Sequence, residues 1–262
     1  MANHLISLTT DFGLRDPYVA EMKAVILGLS PESKIVDISH EIERFNVAMG
    51  SYTLASASPY FPKGTIHVVV IDPGVGTLRE AILIRTRSGY YVGPDNGVLF
   101  QAAENQGIKN IYRIENPKFM LSRISNTFHG RDIFAPAAAY LAKGIPAEKF
   151  GPETTDIVKP EFAKVIKINN ELIGAVLHID RFGNIITNFT ERKLRLMGIE
   201  RKVKIRLRDT DLELQLCEAY ADADSQQPHA IIGSHNFLEI SINQGDAAKK
   251  FQSKIGDKIA LS

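Results

Sequence analysis

The residues best suited to chemistry follow an apolar run that ends at Asp72, with Arg79 a short distance further along the chain. Residues 68–71 are β-branched without interruption, which is typical of a central strand covered on both faces. A carboxylate at the carboxyl end of such a strand, followed by glycines that allow close backbone approach, lies where open α/β sheets bind small molecules. Asp, Pro and Gly also build ordinary turns, so residues 72–74 alone fit either a site or a turn.

A similar arrangement occurs near the start of the chain, where a strand predicted over residues 4–10 leads to Asp11 and then a glycine. Asp16 follows and is predicted to cap a helix. Pro17 would be the first residue of that helix, where the missing N–H of proline costs nothing. Asp11 is therefore a second carboxylate at the end of a predicted strand.

A histidine is the third candidate. His129 lies shortly before a helix that is predicted to begin near Ala135. The free N–H groups and positive dipole of a helix N-terminus favour anions and lower the pKa of an imidazolium. We therefore expect His129 to be neutral and able to act as a base. His40, His67 and His178 lie in or beside apolar strands and are expected to be structural.

Two loops in the second half of the chain resemble these sites. Asp180 and Asn184 bound a loop that contains a glycine, and residues 233–236 form a comparable segment. Taken singly such loops are usually turns, but α/β enzymes assemble their sites from the ends of strands and helices. A metal site made from the Asp and His residues is the less favoured alternative, because no spacing typical of zinc ligands occurs.

The order of elements predicts a sheet that would position these side chains. Alternating strands and helices at the start of the chain imply parallel strand pairing. The predicted strands and helices of this part lie at 4–10, 34–38, 66–71, 81–86, 90–92 and 111–114, and at 17–29, 45–58, 98–104 and from 135.

The pattern changes after residues 151–164, which contain two prolines and no hydrophobic period and are the predicted domain boundary. Short strands separated by turns then predict a small β-barrel or sandwich. We therefore expect an α/β domain with a largely parallel central sheet at 1–158 and a barrel-like all-β domain at 164–262. Cys217 falls on the predicted polar face of a strand and is expected to be inert.

The composition is that of an ordinary globular protein, with 262 residues of which 44% are hydrophobic and 23% charged. The 31 basic and 30 acidic residues give a net charge of +1, so no overall field favours nucleic acid or an anionic membrane. A small molecule is the expected partner, with no nucleic acid and no membrane. A single cysteine, no signal sequence at the start and no apolar run long enough to span a bilayer predict a cytoplasmic protein.

Seven motifs spread over nearly the whole chain resemble those of the S-adenosylmethionine hydroxide adenosyltransferases, which are relatives of the fluorinase and chlorinase. The motifs lie at 8–13, 18–23, 37–40, 70–76, 93–97, 128–132 and 180–184. The resemblance implies a hydrolase that cleaves S-adenosyl-L-methionine with water (hydroxide) at the 5′ carbon to give adenosine and L-methionine. It also implies a homotrimer whose active sites lie between the α/β domain of one subunit and the β domain of a neighbour.

The resemblance assigns roles to individual residues as well. The implied catalytic set is Asp72, Arg79 and His129. The implied substrate contacts are Asp11 at the ribose hydroxyls, Asp16 and Asp180 at the methionine end, Asn184 at the adenine edge, Phe45 beside the sugar, and Ser234 and Glu239. Ser234 and Glu239 belong to a further family pattern, at residues 234–240, in which His235 and Asn236 are not the commonest residues.

Elementary chemistry agrees with this assignment. Attack at the 5′ carbon expels a neutral thioether that needs no general acid, so only the nucleophile needs help. We therefore expect no cofactor and no metal. Two alternatives remain open on the sequence: a halide-using relative, against which Arg79 and His129 argue, and an adenosine-binding regulatory protein with little turnover.

Overall fold

The computed structural model describes residues 5–169 and 171–262 of the chain. They belong to two compact units, Met1–Pro160 and Glu161–Ser262. The predicted first strand includes His4, which lies outside the described residues. No helix among the described residues is long and apolar enough to cross a membrane.

The first unit contains a six-stranded mixed sheet. Its strands are β1 (Leu5–Thr10), β2 (Lys34–Ser39), β3 (Thr65–Val70), β4 (Ala81–Thr86), β5 (Gly89–Pro94) and β6 (Ile108–Arg113). They are arranged in the order β2-β1-β3-β5-β4-β6. Strands β2, β1, β3 and β5 are parallel neighbours, whereas β4 runs antiparallel to β5 and β6. The predicted α/β fold with a largely parallel sheet is confirmed.

Helices cover both faces of this sheet. They are α1 (Tyr18–Leu29), α2 (Val47–Ala57), α3 (Phe100–Asn105) and α4 (Ala135–Ala142), and a π-helical turn at Gly130–Phe134 leads directly into α4. Apolar residues of α1 and α4 share one core with Val68, and those of α2 and α3 share another with Val69. Neighbouring residues of β3 therefore point into different cores, which explains why all six residues of this strand are buried.

Two predicted helix starts are wrong, and both errors lie beside the site. Pro17 itself occupies the N-cap of α1 and no side chain caps that helix, so Asp16 lies outside it. Helix α2 begins at Val47, because Phe45 has a φ of 63° that no helix accommodates. Asn46 then caps α2 by accepting a hydrogen bond from the N–H of Met49 at 2.9 Å.

The second unit is a barrel. Its strands are β7 (Ile166–Ile168), β8 (Glu171–Ile179), β9 (Ile185–Thr190), β10 (Lys202–Leu207), β11 (Thr210–Cys217), β12 (Pro228–Ile232), β13 (Phe237–Ile242) and β14 (Lys258–Leu261). Seven of them close a ring, since β14 pairs with both β10 and β8, and β7 pairs with the first residues of β8. The unit also holds helices α5 (Glu191–Leu196) and α6 (Ala247–Phe251), which the strand pattern did not predict.

The predicted exposure of Cys217 is also wrong, because its side chain is buried. Strand β11 follows β10 in antiparallel register as far as Gln215 and then pairs with β12 in parallel through Leu216 and Cys217. This change of partner ends the alternation on which the prediction depended.

Candidate active site

The loop between β3 and β4 holds Asp72 and Arg79 against each other. The loop folds back on itself through hydrogen bonds from the N–H of Val75 to the carbonyl of Asp72 and from the N–H of Thr77 to the carbonyl of Gly74. Arg79 then donates from Nε to the two carboxylate oxygens of Asp72 at 3.0 and 3.1 Å, and from Nη2 at 2.5 Å. This planar contact satisfies a carboxylate whose side chain is 5% exposed.

The same guanidinium reaches His129. Nη2 of Arg79 lies 2.7 Å from Nδ1 of His129, and its plane lies over the ring of Phe134, 5.3 Å from the centroid. Because a guanidinium has only donors, Nδ1 of His129 must be the acceptor of this bond. The proton of the neutral ring is therefore on Nε2. Arg79 thus fixes the tautomer of His129 as well as its position.

The electrostatics of the site keep His129 neutral. Burial lowers the pKa of His129 and the adjacent Arg79 charge lowers it further, against weaker opposing effects of Asp72 and Asp132. This direction agrees with the neutral histidine expected from the sequence.

A cavity of about 1030 Å³ lies in front of this arrangement, within the first unit. Its wall includes five of the residues singled out in the sequence: Asp11, Asp16, Phe45, Asp72 and His129. Arg79 contacts the cavity through the last two. The first unit therefore brings together all six of its predicted site residues, although they come from loops far apart in the sequence.

Asp11 and Phe45 are coupled directly. The N–H of Phe45 donates to Oδ2 of Asp11 at 2.8 Å, and Phe45 is 66% exposed. Burial raises the pKa of the Asp11 carboxyl, an effect that this N–H bond opposes and the charge of Asp72 increases. Asp11 thus lies on the cavity wall with its carboxylate held by the backbone of the Phe45 loop.

Three of the predicted residues of the second unit lie in its loops, and the fourth, Glu239, lies on a strand. Asp180 accepts hydrogen bonds from the N–H of Asn184 at 2.9 Å and from its side-chain amide at 2.8 Å, in the loop between β8 and β9. Glu239 of β13 is buried and accepts a hydrogen bond from the hydroxyl of Tyr220 at 2.9 Å. Burial raises the pKa of Glu239, and the charge of Asp180 adds to this effect. Ser234 is exposed in the turn between β12 and β13.

Comparison with known proteins accounts for both units. Residues 6–151 match the family model for the SAM hydroxide adenosyltransferase N-terminal domain, and residues 174–260 match the C-terminal domain of the same family. The chain belongs to the SAM hydroxide adenosyltransferase family. A relative from Methanocaldococcus jannaschii named (R)-S-adenosyl-L-methionine hydrolase is 39% identical, over 98% of this chain and 95% of its own.

Further proteins are similar to this hydroxide adenosyltransferase family member over nearly its whole length. A protein from Thermus thermophilus, also named (R)-S-adenosyl-L-methionine hydrolase, is 35% identical over 96% of this chain and 97% of its own. A fluorinase from Nocardia brasiliensis is 26% identical over 98% of this chain and 96% of its own. The crystal structure of an uncharacterized conserved protein from Thermotoga maritima superposes with a TM-score of 0.90 and 39% identity, covering 98% of this chain and 99% of that one.

The cavity of this adenosyltransferase family member also has walls that the sequence did not reveal. Phe12, Tyr18 and Phe128 form a mutual ring cluster, with centroids 5.2 to 5.8 Å apart. His40, which we expected to be structural, lines the cavity, and its Nδ1 lies 2.8 Å from the hydroxyl of Thr10. One sequence feature could have assigned His40 to the site: it follows the carboxyl end of a strand that neighbours the strand leading to Asp11. The ring cluster was not predicted because its members come from three separate segments, although each falls within one of the motifs at 8–13, 18–23 and 128–132.

Proposed function

We propose that this protein is a hydrolase that cleaves S-adenosyl-L-methionine at the 5′ carbon, with oxygen from water, to give adenosine and L-methionine. Its family and the names of its relatives support an enzyme of this kind. The observation that carries the proposal is the contact of Asp72, Arg79 and His129 at the wall of a cavity large enough for a nucleoside derivative.

We assign His129 the role of a hydrogen-bond donor to the attacking oxygen. Because Nδ1 accepts from Arg79, Nε2 already carries the ring proton, and His129 could act as a base only if the Arg79 contact broke. Nε2–H suits a hydroxide ion, formed when water loses a proton to the solvent. The hydroxide oxygen forms a bond to C5′ while the C5′–S bond breaks and its electron pair goes to sulfur, which leaves as the neutral thioether of methionine. This role replaces that of the base expected from the sequence.

The charge of the pocket fits a cationic substrate. Five carboxylates and two arginines contribute to its wall: Asp11, Asp16, Glu41, Glu43, Asp72, Arg15 and Arg44. The excess of negative charge favours the entry of a sulfonium ion. Since the reaction joins hydroxide to a sulfonium, charge is lost at the transition state, and exclusion of water from the reaction centre favours it over the separated ions.

We further propose the substrate contacts that the family resemblance implies. In the first unit Asp11 holds the ribose hydroxyls, Phe45 packs beside the sugar and Asp16 lies toward the methionine end. The exposure of Phe45 and the place of both residues in the cavity wall support these roles. In the second unit the proposed contacts are Asp180 for the methionine end, Asn184 for the adenine edge, and Ser234 and Glu239.

We also propose a cytoplasmic homotrimer in which the second unit of a neighbouring subunit completes each pocket. The buried, unpaired cysteine fits a reducing compartment. Asp72→Ala and Asn184→Ala subunits, each inactive alone, should regain activity when refolded together, because some pockets would combine two intact halves. A fully active monomer would contradict the shared pocket.

The reaction itself is tested in oxygen-18 water with S-adenosyl-L-methionine as substrate. Mass spectrometry should find the label in the 5′ hydroxyl of adenosine, with equimolar methionine. Arg206→Lys, at an exposed ion pair of the second unit, is the control and should leave the rate unchanged. Unlabelled adenosine would exclude attack by water, a 5′-halogenated product in the presence of chloride would indicate a halide-using enzyme, and bound adenosine without turnover would indicate a regulatory protein.

A further inference from the structure

A buried carboxylate that the proposed chemistry does not use lies three residues after His129. The side chain of Asp132 is fully buried, and it stands in the π-helical turn at Gly130–Phe134. π-Helical turns are uncommon and often mark functional sites. A buried charge is costly unless it is fully hydrogen-bonded, so the partners of Asp132 indicate what it does.

Those partners fix the segment that precedes His129. Oδ2 of Asp132 accepts a hydrogen bond from the backbone N–H of Ser125 at 2.7 Å. The carbonyl oxygen of Asp132 accepts another from the N–H of Leu121 at 2.9 Å, and its own N–H donates to the carbonyl of Phe128 at 3.1 Å. One residue therefore anchors residues 121–128 at three points, and this segment leads directly to His129.

The anchored segment also supports the loop that carries Arg79. Ser125 begins a tight turn, in which its Oγ accepts from the N–H of Thr127 at 3.2 Å. Gly76 lies against this turn with a φ of 76°, so close that a Cβ at this position would overlap the carbonyl oxygen of Asn126. The loop at 72–79 therefore rests on a turn that Asp132 holds in place.

The carboxylate has a second partner, the guanidinium of the neighbouring Arg131. Nε of Arg131 donates to Oδ1 of Asp132 at 2.7 Å, and Nη1 of the same arginine donates to Glu21 of α1 at 2.8 Å. The guanidinium also lies over the ring of Phe128, 5.0 Å from its centroid. Arg131 thus ties the anchor to helix α1 and to the aromatic wall of the cavity.

We propose that Asp132 is a positioning residue for the reaction: it holds the two loops in the register that lets Arg79 meet His129. The 2.7 Å contact between these side chains joins residues fifty positions apart. The carboxylate of Asp132 bonds to the segment before His129 and, through that segment, supports the loop before Arg79. This inference rests on the proposed function for its kinetic consequence, but its structural consequence can be measured independently.

The test compares Asp132→Ala and Asp132→Asn with Glu21→Gln as the matched control. Glu21→Gln removes a carboxylate from the same arginine without touching residues 121–128, and it should leave the rate of adenosine formation within about twofold. Asp132→Ala should lower kcat on the order of 100-fold, because small misplacements of catalytic groups cost this much. KM for S-adenosyl-L-methionine should change by less than about threefold, since Asp132 has no contact with the cavity. Asp132→Asn keeps an acceptor for the N–H of Ser125 and should show an intermediate loss.

A crystal structure of a variant supplies the readout that needs no activity. In Asp132→Ala, or in Asp132→Asn if the alanine variant does not fold, the distance between Arg79 Nη2 and His129 Nδ1 should exceed hydrogen-bonding range. An unchanged distance, an unchanged kcat, or equal losses in kcat and substrate affinity would each overturn the proposal. If the unaltered protein forms no adenosine, the proposed function fails, and the crystallographic distance still decides the role of Asp132.

Discussion

Replacing Arg79 with lysine keeps the positive charge but removes the planar fork that joins Asp72 to His129. The guanidinium makes three contacts with Asp72 and one with His129, from nitrogens held in one plane. A lysine ammonium is a single point on a flexible chain and cannot reproduce both contacts. We therefore expect Arg79→Lys to retain the pairing with Asp72 and to lose the hydrogen bond to Nδ1 of His129.

The size of the effect follows from the burial of this contact. The side chains of Arg79 and Asp72 are 11% and 5% exposed, so solvent screens their interactions little. A hydrogen bond to a charged group contributes about 1.5–3 kcal/mol. If that bond orients His129 mainly in the transition state, its loss lowers kcat by about 10- to 150-fold. KM should stay within about threefold, because Arg79 contacts the cavity only through Asp72 and His129.

Steady-state rates of adenosine formation by liquid chromatography measure this change. Arg206→Lys is again the matched control, since its partner Glu171 lies on the barrel surface and the exchange should alter the rate by less than about twofold. Circular dichroism confirms that both variants are folded. An Arg79→Lys enzyme with a kcat within threefold of the unaltered protein would refute the orienting role of the guanidinium.

Three further predictions use other parts of the same unit. Asp11→Asn keeps the acceptor for its backbone partner and should raise KM for S-adenosyl-L-methionine about tenfold with a smaller change in kcat, whereas an unchanged KM in steady-state assays would remove Asp11 from the ribose site. Gly76→Ala should abolish activity, because its Cβ would overlap the carbonyl oxygen of Asn126. Gly144→Ala is the control: it is also at positive φ but has open space around it, so it should lower only the thermal unfolding temperature. Equal rates of adenosine formation in the two variants would contradict this prediction. Burial lowers the pKa of His67 to about 4, so the unfolded chain takes up a proton first as the pH falls. The contribution of neutral His67 to the free energy of unfolding is therefore complete above about pH 6.5 and should fall by about 3 kcal/mol toward pH 4. Urea unfolding of His67→Phe over the same pH range should lack this contribution.

The central sheet was predictable because its signals are local. The β-branched run at 68–71 reads as a strand covered on both faces, and residues 65–70 do lie between two helical layers. The helix starts near Asp16 and Phe45 were not predictable in this way. Their positions depend on the backbone angles of Pro17 and Phe45.

The sequence predicted which strand ends carry site residues, but it predicted only part of how those residues contact one another. Asp11 and Asp72 follow parallel neighbouring strands, so their proximity follows from the topology. The contact between Arg79 and His129 depends on the fold of two loops, on the π-helical turn and on the anchor at Asp132. These features involve hydrogen bonds between distant segments, for which residue type and spacing give no indication.

In this cavity, the charges that attract the substrate are different from those at the reaction centre. The carboxylates of Asp16, Glu41 and Glu43 belong to exposed residues, whereas Phe128 beside the catalytic set is buried. Exposed carboxylates draw a sulfonium toward the cavity but stabilise it weakly, because water screens them. At the reaction centre the charge of Asp72 is already paired with Arg79, so it does not stabilise the bound cation strongly. Because the sulfonium is bound weakly through its charge, little binding energy is lost when hydroxide neutralises that charge. The remaining binding energy then favours the transition state over the bound substrate.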